Sequence, residues 1–599
     1  MRTHIGRLGT FTLISLLSLL SFAALAGAQD DIVKQPNASP MLMLRGNAGD
    51  PHQIEAKTEA ANLAGVPSTY TEKVIYSFCP APTTCPDGYY PYAGLIQDTA
   101  GNLYGAAALG GKYDFGAVYK VDTSGNETVL YSFCPAGLPC TDGAFPRGSL
   151  IMDSAGNLYG TTYLGGANSS ANHGTGGGTV FKLAPAQGGG PWTETVLYSF
   201  CSESNCTDGE EPASALIMDA AGNLYGTTPA GGANTAADGG TGGGTVFELD
   251  TTGHETMLYS FCSQMNCADG YEPEAGLIEV AGNFYGTTAK GGANNGGTVF
   301  EVEGVGQETV LYSFCSVSGC TDGDEPTAAL IQDLAGNLYS TSGVGGANGA
   351  GTIFELHPGT PWTETVLYNF CSFPKCADGA VPAGGVIRDK AGNLYGTAAD
   401  GGNLNSTCVD SQCGTAFELD TTGHYTVLYS FCSATNCTDG DEPVAGLIQD
   451  SAGNLFGTTI FGGNANSNCS LGSCGTVFEL VPGGGGGPTV TLSPTALKFG
   501  KTLVGKTSAA KKVTLTNSGT ATLDITTIAV SGDFALATVK KTKKVTPCVD
   551  GGTVAAGASC EIAVTFTPQQ TGTLTGNVTF TDNAGNSPQQ LPLTGTGKN

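Results

Sequence analysis

Short hydrophobic runs separated by glycine, asparagine and aspartate recur along most of the chain. One unit reads AGLIQD, GNLYGTT, GTVFELD and ETVLYSF, and each run is rich in Val, Leu, Tyr, Phe and Thr. Runs of this kind, bounded by turn residues, are typical of β-strands, and no helical period occurs within them. The pattern therefore predicts four antiparallel strands in each unit.

The polar segments between the runs have the chemistry of tight turns. DTAGN and DSAGN join the first run to the second, and DTTGH joins the third to the fourth. Glycine accepts the positive φ that such turns need, and aspartate accepts hydrogen bonds from the backbone of its own turn. We expect β-hairpins at both places.

The unit occurs seven times in register. AGNLYG and its relatives begin at Ala100, Ala155, Ala221, Ala281, Ala335, Ala391 and Ala452, and LYSFC and its relatives end at Cys79, Cys134, Cys201, Cys262, Cys315, Cys371 and Cys432. Seven repeats of four antiparallel strands predict an all-β seven-bladed propeller, with an open stack of sheets as the alternative.

The order of the runs favours a closed ring. The first unit is preceded by a fourth-strand sequence, EKVIYSF at 72–78, and the last unit stops after its third strand at Leu480. A complete seventh sheet then requires residues 74–78 to pair beside residues 477–480, which removes a free sheet edge.

The beginning of the chain has the order of a cleavable secretory signal. Arg2 and Arg7 precede an apolar run that ends in Ala26-Gly27-Ala28, so we predict cleavage after Ala28, with an uncleaved anchor as the alternative. No later segment is apolar enough to span a membrane. We therefore expect a secreted or cell-surface protein without a membrane span in its mature chain.

Export makes disulfides the expected state of the twenty cysteines. Zinc or redox chemistry is the alternative, but a zinc site needs two pairs, or a pair plus histidines, on one ion, and no histidine accompanies the repeated loops. The predicted disulfide pairs are Cys79 with Cys85, Cys134 with Cys140, Cys201 with Cys206, Cys262 with Cys267, Cys315 with Cys320, Cys371 with Cys376, Cys408 with Cys413, Cys432 with Cys437, Cys469 with Cys474, and Cys548 with Cys560.

Charge is distributed unevenly along the chain. The net charge is -28, yet the part from Thr489 onward holds ten Lys and five acidic residues, a net of +5, which leaves -35 for residues 29–488. Nucleic acid and anionic membrane are therefore poor partners for the main body, which leaves an extracellular glycan, a cation or a protein. We expect a monomer.

The seven cysteine loops, such as CSVSGCTDGDEP, fall on the same side of a propeller as every variable insertion, which is where binding is usually placed. Acidic residues in four of them are candidate ligands for calcium or another cation, with an Asp-Gly turn and solvated acids as the structural alternative. The candidates are Asp208, Glu210, Glu211, Asp269, Glu272, Asp322, Asp324, Glu325, Asp439, Asp441 and Glu442.

Composition divides the chain into five parts. We predict a signal peptide at 1–28, a disordered leader at 29–71, the propeller at 72–480, a glycine-rich linker at 481–488 and an immunoglobulin-like β-sandwich at 489–599. The sandwich is predicted from runs that alternate apolar and polar residues, such as KKVTLTNSGTATLDITTIAV and CEIAVTFTP.

These motifs carry two resemblances. The unit GNLYGTT, GTVFEL and ETVLYSF resembles the GloVer-type extracellular tandem repeats of environmental bacteria over about residues 72–480, and LKFG, VTLTNSGTATL and CEIAVTFTP resemble choice-of-anchor D or ASH-like modules. The resemblances imply a bacterial surface or secreted protein for binding and display, with no established reaction.

Catalytic motifs are scarce. GKTLVGKT at 500–507 matches the phosphate-loop pattern, but a strand-like run follows where that motif needs a helix, so we interpret it as a coincidence. We predict no catalytic residues and no cofactor apart from calcium, and a non-catalytic binding or display protein. The alternative is a propeller glycoside hydrolase or lyase that uses carboxylates at the central mouth.

Overall fold

The computed structural model describes residues 70–80, 85–168, 175–186, 188, 190–234, 242–402, 413–464, 469, 473–482, 490–517, 522–540, 546–555, 557–582, 584 and 589–599. The predicted signal peptide, nearly all of the leader, most of the linker and Cys408 lie outside these residues. Two compact units are present, one that includes residues 72–449 and 455–479 and one that includes residues 480–599.

Within the described residues, the first unit has 28 short strands. In chain order they are β1 (Tyr70–Ser77), β2 (Ile96–Gln97), β3 (Leu103–Ala107), β4 (Ala117–Val121), β5 (Glu127–Ser132), β6 (Ile151–Met152), β7 (Leu158–Thr162), β8 (Thr179–Ala184), β9 (Thr193–Ser199), β10 (Ile217–Met218), β11 (Leu224–Thr228), β12 (Thr245–Leu249), β13 (Glu255–Ser260), β14 (Ile278–Val280), β15 (Asn283–Thr288), β16 (Thr298–Glu303), β17 (Glu308–Ser313), β18 (Ile331–Gln332), β19 (Leu338–Ser342), β20 (Thr352–His357), β21 (Thr363–Asn369), β22 (Ile387–Arg388), β23 (Leu394–Ala398), β24 (Thr415–Leu419), β25 (Tyr425–Ser430), β26 (Ile448–Gln449), β27 (Leu455–Thr459) and β28 (Thr476–Pro482).

These strands form seven four-stranded sheets, numbered here in chain order. Sheets 1 to 6 each take four consecutive strands, from β2–β5 to β22–β25, in sequential order. Sheet 7 has the order β1-β28-β27-β26, so its outermost strand comes from the beginning of the described chain. The Phe78 amide donates a hydrogen bond of 3.1 Å to the Gly475 carbonyl beside this pairing. The predicted pairing of 74–78 beside 477–480 is therefore confirmed.

Turn chemistry agrees with the sequence. In the hairpin between β2 and β3, the Asp98 carboxylate accepts the amides of Ala100 and Asn102, both at 2.9 Å, and Gly101 has φ +87°. The same Asp-to-backbone bonds occur between β12 and β13, where Asp250 accepts the amides of Thr252 and His254.

The core of the first unit lies between neighbouring sheets. At each of the seven junctions, a phenylalanine that follows the outermost strand of one sheet packs against an aromatic ring on the third strand of the next, with centroids 4.8–5.3 Å apart. The pairs are Phe78 with Tyr119, Phe133 with Phe181, Phe200 with Phe247, Phe261 with Phe300, Phe314 with Phe354, Phe370 with Phe417, and Phe431 with Phe478. Sheet 7 thus packs against sheet 1 in the same way that every other sheet packs against its successor.

A second set of contacts links the sheets near their innermost strands. A threonine hydroxyl on the second strand donates to a backbone carbonyl of the next sheet, at 2.8–3.2 Å. The pairs are Thr161 with Ser214, Thr227 with Ala275, Thr287 with Ala328, Thr341 with Gly384, Thr397 with Ala445, and Thr458 with Ala93. The small acceptor residues allow the backbones to approach closely, and only two or three residues of each innermost strand remain in regular pairing.

The second unit is a β-sandwich. Its strands are β29 (Val490–Ser493), β30 (Leu497–Leu503), β31 (Lys511–Asn517), β32 (Leu523–Val530), β33 (Phe534–Ala537), β34 (Thr553–Val554), β35 (Ser559–Phe566), β36 (Gly572–Asp582) and β37 (Gln589–Lys598). They form sheets of order β29-β31-β35-β33 and β30-β37-β36-β32-β34 around one hydrophobic core.

The whole described structure is therefore all-β, apart from short 3-10 turns in the cysteine loops. Among the described residues, no helix is long and apolar enough to cross a membrane.

Candidate functional site

Disulfides close the loops that connect the sheets. Seven of them join cysteines five or six positions apart between the outermost strand of one sheet and the innermost strand of the next, and two more lie in a loop of sheet 7 and in the sandwich. The nine pairs are Cys79–Cys85, Cys134–Cys140, Cys201–Cys206, Cys262–Cys267, Cys315–Cys320, Cys371–Cys376, Cys432–Cys437, Cys469–Cys474 and Cys548–Cys560. The predicted pair Cys408–Cys413 involves a residue outside the described part of the chain.

Two of these disulfides lie against each other. The four sulfur atoms of Cys79, Cys85, Cys469 and Cys474 lie within 4.8 Å of one another, and Cys79 Sγ is 3.4 Å from Cys469 Sγ. The disulfide in the insertion of sheet 7 therefore packs against the disulfide of the loop that leads into sheet 1. Sequence spacing identified both pairs but not their contact.

The aspartate of the repeated Asp-Gly is an acceptor within its own loop. Asp322, which is 3% exposed, accepts the Tyr312 hydroxyl at 2.9 Å and the Ser316 amide at 2.8 Å. The bond from a tyrosine hydroxyl, at 2.6–2.9 Å, recurs in all seven loops, at Asp87, Asp142, Asp208, Asp269, Asp322, Asp378 and Asp439. Four of the cation candidates thus link their loop to the outermost strand by a hydrogen bond. They are Asp208, Asp269, Asp322 and Asp439.

Three other candidates lie beside disulfides. Glu210, Asp324 and Asp441 each place a carboxylate oxygen within 4.8 Å of both sulfurs of the adjacent disulfide. Burial is the main cause that raises the pKa of Glu210 to about 7 and that of Asp441 to about 8. It also raises the pKa of Asp324. Glu210 and Asp441 therefore take up protons near neutral pH, because the loops shield them from water.

The remaining four candidates occupy one repeated position, just before the loop proline. Glu211, Glu272, Glu325 and Glu442 have φ between +52° and +62°, a left-handed conformation that costs free energy in a non-glycine residue. Backbone bonds to two sheets hold it: the Glu272 amide donates to Gly243 of sheet 3 at 3.1 Å, and its carbonyl accepts the Ala289 amide of sheet 4 at 2.9 Å. The Glu442 side chain is buried at this position, whereas those of Glu211, Glu272 and Glu325 are half-buried.

Near the residues that precede the loop prolines, side chains from several sheets come together. The Arg147 guanidinium lies 4.0 Å from the ring centroid of Tyr163 and 6.0 Å from that of Tyr92. The Tyr163 hydroxyl donates a hydrogen bond of 2.6 Å to Glu211. Lys290 forms an ion pair of 2.9 Å with Glu272. We call the following eight residues the inner-loop cluster: Tyr92, Arg147, Tyr163, Glu211, Glu272, Glu274, Lys290 and Glu325.

Glu274 interacts electrostatically both with Arg147 and with the Lys290–Glu272 ion pair. Burial raises its pKa to about 7, with further increases from the charges of Glu272 and Glu325 and decreases from Lys290 and Arg147. Burial and the charge of Asp324 likewise raise the pKa of Glu325 to about 7. At neutral pH the cluster therefore holds carboxyl groups that can either donate or accept a proton, next to a guanidinium and an ammonium group.

Sequence reasoning missed five members of the cluster: Tyr92, Arg147, Tyr163, Glu274 and Lys290. A signal was present, because the proline itself repeats while the residue after it varies among Tyr92, Arg147, Ala213, Glu274, Thr327, Ala383 and Val444. Variation next to a repeated residue indicates a position released from the structural pattern.

The first unit matches a known repeat family. The sequence profile of the Gloeobacter/Verrucomicrobia repeat family matches residues 57–268 and 234–478, which together cover more than half of the chain. The chain belongs to this repeat family. Residues 487–598 match Cep192 domain 4. Among curated proteins, none matches the sequence.

Solved structures give more distant likenesses. The PapD-like domain 7 of human CEP192 is 15% identical, with a TM-score of 0.14, over 19% of this chain and 87% of that one. A PL25 ulvan lyase bound to a saccharide is 10% identical, with a TM-score of 0.36, over 68% of this chain and 95% of that one. At these scores neither likeness bears on function in this repeat-family member.

Proposed function

We propose that the seven sheets of this repeat protein are the blades of a closed seven-bladed β-propeller. Two repeated contacts support the proposal, because both occur between sheet 7 and sheet 1 with the geometry that they have elsewhere. They are the aromatic pair Phe78 with Tyr119, at 5.0 Å, and the hydrogen bond from Thr458 to Ala93. On this proposal, the inner-loop cluster lies at the mouth of the central channel, on the face of the disulfide loops.

The protein on this proposal is an exported, non-catalytic binding protein whose ligand is a glycan. The observation that carries the ligand class is the stack of Arg147 on Tyr163, with the Tyr163 hydroxyl bonded to Glu211. Sugars are bound by aromatic faces combined with fixed charged groups that take hydroxyl hydrogen bonds, and this cluster offers both. Export is supported by the predicted signal at 1–28 and by the number of disulfides.

A glycan array followed by calorimetry on the best hit tests the binding role. We expect Arg147→Ala to weaken binding by about tenfold or more, since central aromatic and arginine contacts dominate binding energy. Arg388→Ala is the matched control, because Arg388 also lies over a tyrosine, Tyr339, but outside the cluster. Equal affinity in wild type and Arg147→Ala would remove the cluster from the proposal.

The second candidate function is cleavage of an extracellular polysaccharide. Glu274 favours it, because a carboxyl group with a pKa of about 7 suits a general acid or base. The Arg147 charge lowers the pKa of Glu274, and the Glu274 charge raises the pKa of Tyr163, so the three groups interact. Product analysis on the bound glycan decides between the two roles. Released oligosaccharide that disappears in Glu274→Gln, with binding retained, supports the enzyme, and intact glycan supports the binding protein.

Calcium or another cation remains a proposed ligand of the loop acids. Hard cations need several oxygen ligands. The four loop aspartates already accept internal hydrogen bonds, and Glu211 and Glu272 interact with Tyr163 and Lys290, so a cation would have to compete with these partners. Calorimetric titration with calcium, before and after chelation, is the test. A measurable heat together with an increased melting temperature supports the cation site. If calcium produces neither, the site is ruled out.

The sandwich on this proposal is a spacer or docking module of the choice-of-anchor D type. Its match to Cep192 domain 4 over residues 487–598 supports an ASH-like module. Its charge is opposite to that of the repeat unit, which favours a separate partner for each.

A further inference from the structure

The segment 500–507, whose letters match a phosphate loop, folds as the end of a strand and a tight turn. β30 ends at Leu503, and the Lys506 amide closes the turn on the Leu503 carbonyl at 2.9 Å, with Gly505 at φ +74°. The helix that a phosphate loop requires is not found in the described residues that follow. The interpretation of the motif as a coincidence therefore agrees with the structure.

Neighbouring backbone holds this turn firmly. The Val504 amide donates to the Lys598 carbonyl at 2.9 Å, and the Gly505 amide donates to the Pro568 carbonyl at 2.8 Å. Leu503 and Val504 nevertheless remain 46% and 40% exposed. The fold thus presents two aliphatic side chains to solvent on a turn that cannot withdraw them without breaking these bonds.

Lysines surround the turn. A cleft of about 480 Å³ beside it is lined by Lys501, Lys506, Lys511 and Lys598, and no acidic residue is among its lining residues. Lys511 donates to the Lys498 carbonyl at 2.7 Å. Within the described chain, no carboxylate pairs with the other three lysines, whereas Lys512 outside the cleft pairs with Glu561 at 2.7 Å.

We propose that this lysine-flanked turn docks the protein on a lipid surface that bears anionic phosphate headgroups. The lysines contact the phosphates, and Leu503 and Val504 enter the interface between headgroups and acyl chains. Lysines near such a surface are attracted to it, and exposed aliphatic side chains gain by leaving water.

The combination decides between a lipid surface and a soluble polyanion. A free polyanion satisfies the lysines but offers no apolar medium for Leu503 and Val504, which a bilayer does. The distribution of charge also orients the molecule, because the tail from Thr489 onward carries +5 while residues 29–488 carry -35. An anionic surface attracts the sandwich and repels the repeat unit. The inference is independent of what the inner-loop cluster binds.

Vesicle sedimentation of the full mature chain tests the proposal. We expect binding at low salt to phosphatidylcholine vesicles with about a third phosphatidylglycerol, and little binding to phosphatidylcholine alone. Lys501→Glu with Lys506→Glu and, separately, Leu503→Ser with Val504→Ser should each weaken binding by about tenfold or more.

The control is Lys390→Glu with Lys540→Glu, which changes net charge equally at exposed lysines outside the cleft and should bind as wild type does. All of these positions are exposed, so an unchanged melting temperature verifies the fold. Equal binding to both vesicle types overturns the proposal. So does a Leu503→Ser, Val504→Ser variant with wild-type affinity, or binding that soluble polyphosphate reproduces without lipid.

Discussion

Thr458 and Ala93 lie 365 residues apart in the sequence, yet the Thr458 hydroxyl donates a hydrogen bond of 3.2 Å to the Ala93 carbonyl. The same bond, also of 3.2 Å, joins Thr287 to Ala328 at a junction between two consecutive sheets. The contact from the last sheet to the first is therefore equivalent to a contact in the middle of the repeat array.

This equivalence predicts equal effects of two isosteric substitutions. Thr458→Val and Thr287→Val each remove a buried hydroxyl donor and leave a carbonyl with one partner fewer, which should cost about 1 kcal/mol of unfolding free energy. Denaturant titration of both variants gives the comparison. A cost for Thr287→Val with none for Thr458→Val would mean that the last junction does not form in solution.

The loop aspartates should contribute strongly to stability. Asp322→Ala removes the acceptor of the Tyr312 hydroxyl and of the Ser316 amide in a buried loop, so we expect a loss of about 2–3 kcal/mol. Asp322→Asn retains one acceptor oxygen and should lose less. Guanidinium unfolding measures both. If Asp322→Ala unfolds at the wild-type denaturant concentration, the aspartate does not hold the loop.

Half-buried glutamates on the outermost strands predict an unusual pH dependence. Burial and a neighbouring loop aspartate raise the pKa of six of them from 4.5 to about 7 or 8. Between these pKa values the folded state binds more protons than the unfolded state. The contribution of these groups to the free energy of unfolding is therefore fully present below about pH 4.5 and decreases as pH rises towards 8. The six residues are Glu72, Glu127, Glu194, Glu255, Glu308 and Glu364.

Turn aspartates act in the opposite sense at lower pH. Backbone and side-chain hydrogen bonds outweigh burial and lower the pKa of Asp98 and Asp153, so their contribution is lost as pH falls through the lowered values. The melting temperature should therefore be highest near pH 5 and decrease towards pH 8. Partial exposure of these groups screens the effect, which makes the slope shallow.

Glu127→Gln isolates one glutamate. Glu127 lies near Asp87, and its Oε1 atom has no hydrogen-bond partner among the described residues. Removing its charge should raise the melting temperature at pH 8 and change it little at pH 5. Glu303→Gln, at an exposed position, is the control and should change neither. A lower melting temperature of Glu127→Gln at pH 8 would contradict the assignment.

The adjacent disulfides predict an exchange reaction. In Cys85→Ser, the thiolate of Cys79 is 3.4 Å from Cys469, so it should attack that sulfur, form a Cys79–Cys469 bond, and release Cys474 as the thiolate. Peptide mapping under non-reducing conditions detects the new bond and a labelled thiol on Cys474.

Cys206→Ser is the control for this reaction. It frees Cys201, which among the described residues has a carboxylate rather than a second disulfide beside its sulfur, so its thiol should persist. An unreacted Cys79 in Cys85→Ser would show that the insertion of sheet 7 does not pack on the first loop in solution.

Local features were predictable because their causes are local. The hairpin at Asp98 and Gly101 depends on one side chain and one φ angle within five residues, and the Cys315–Cys320 bond joins cysteines five positions apart. The position of β1 was also predictable, since a fourth-strand sequence stood before the first unit. The candidate acids were identified as a set, but the separation into loop acceptors, disulfide-flanking groups and inner-loop side chains was not.

The sequence by itself determined the strands, the turns, the sevenfold repeat and the local disulfides, because period, turn chemistry and short separation act within a few residues. Only the tertiary structure decided that Arg147, Tyr163 and Glu211 meet, and that Glu274 lies where burial and the charges of other repeats raise its pKa. Such contacts join different repeats through space, and their distances depend on how the sheets are arranged, which no single repeat encodes.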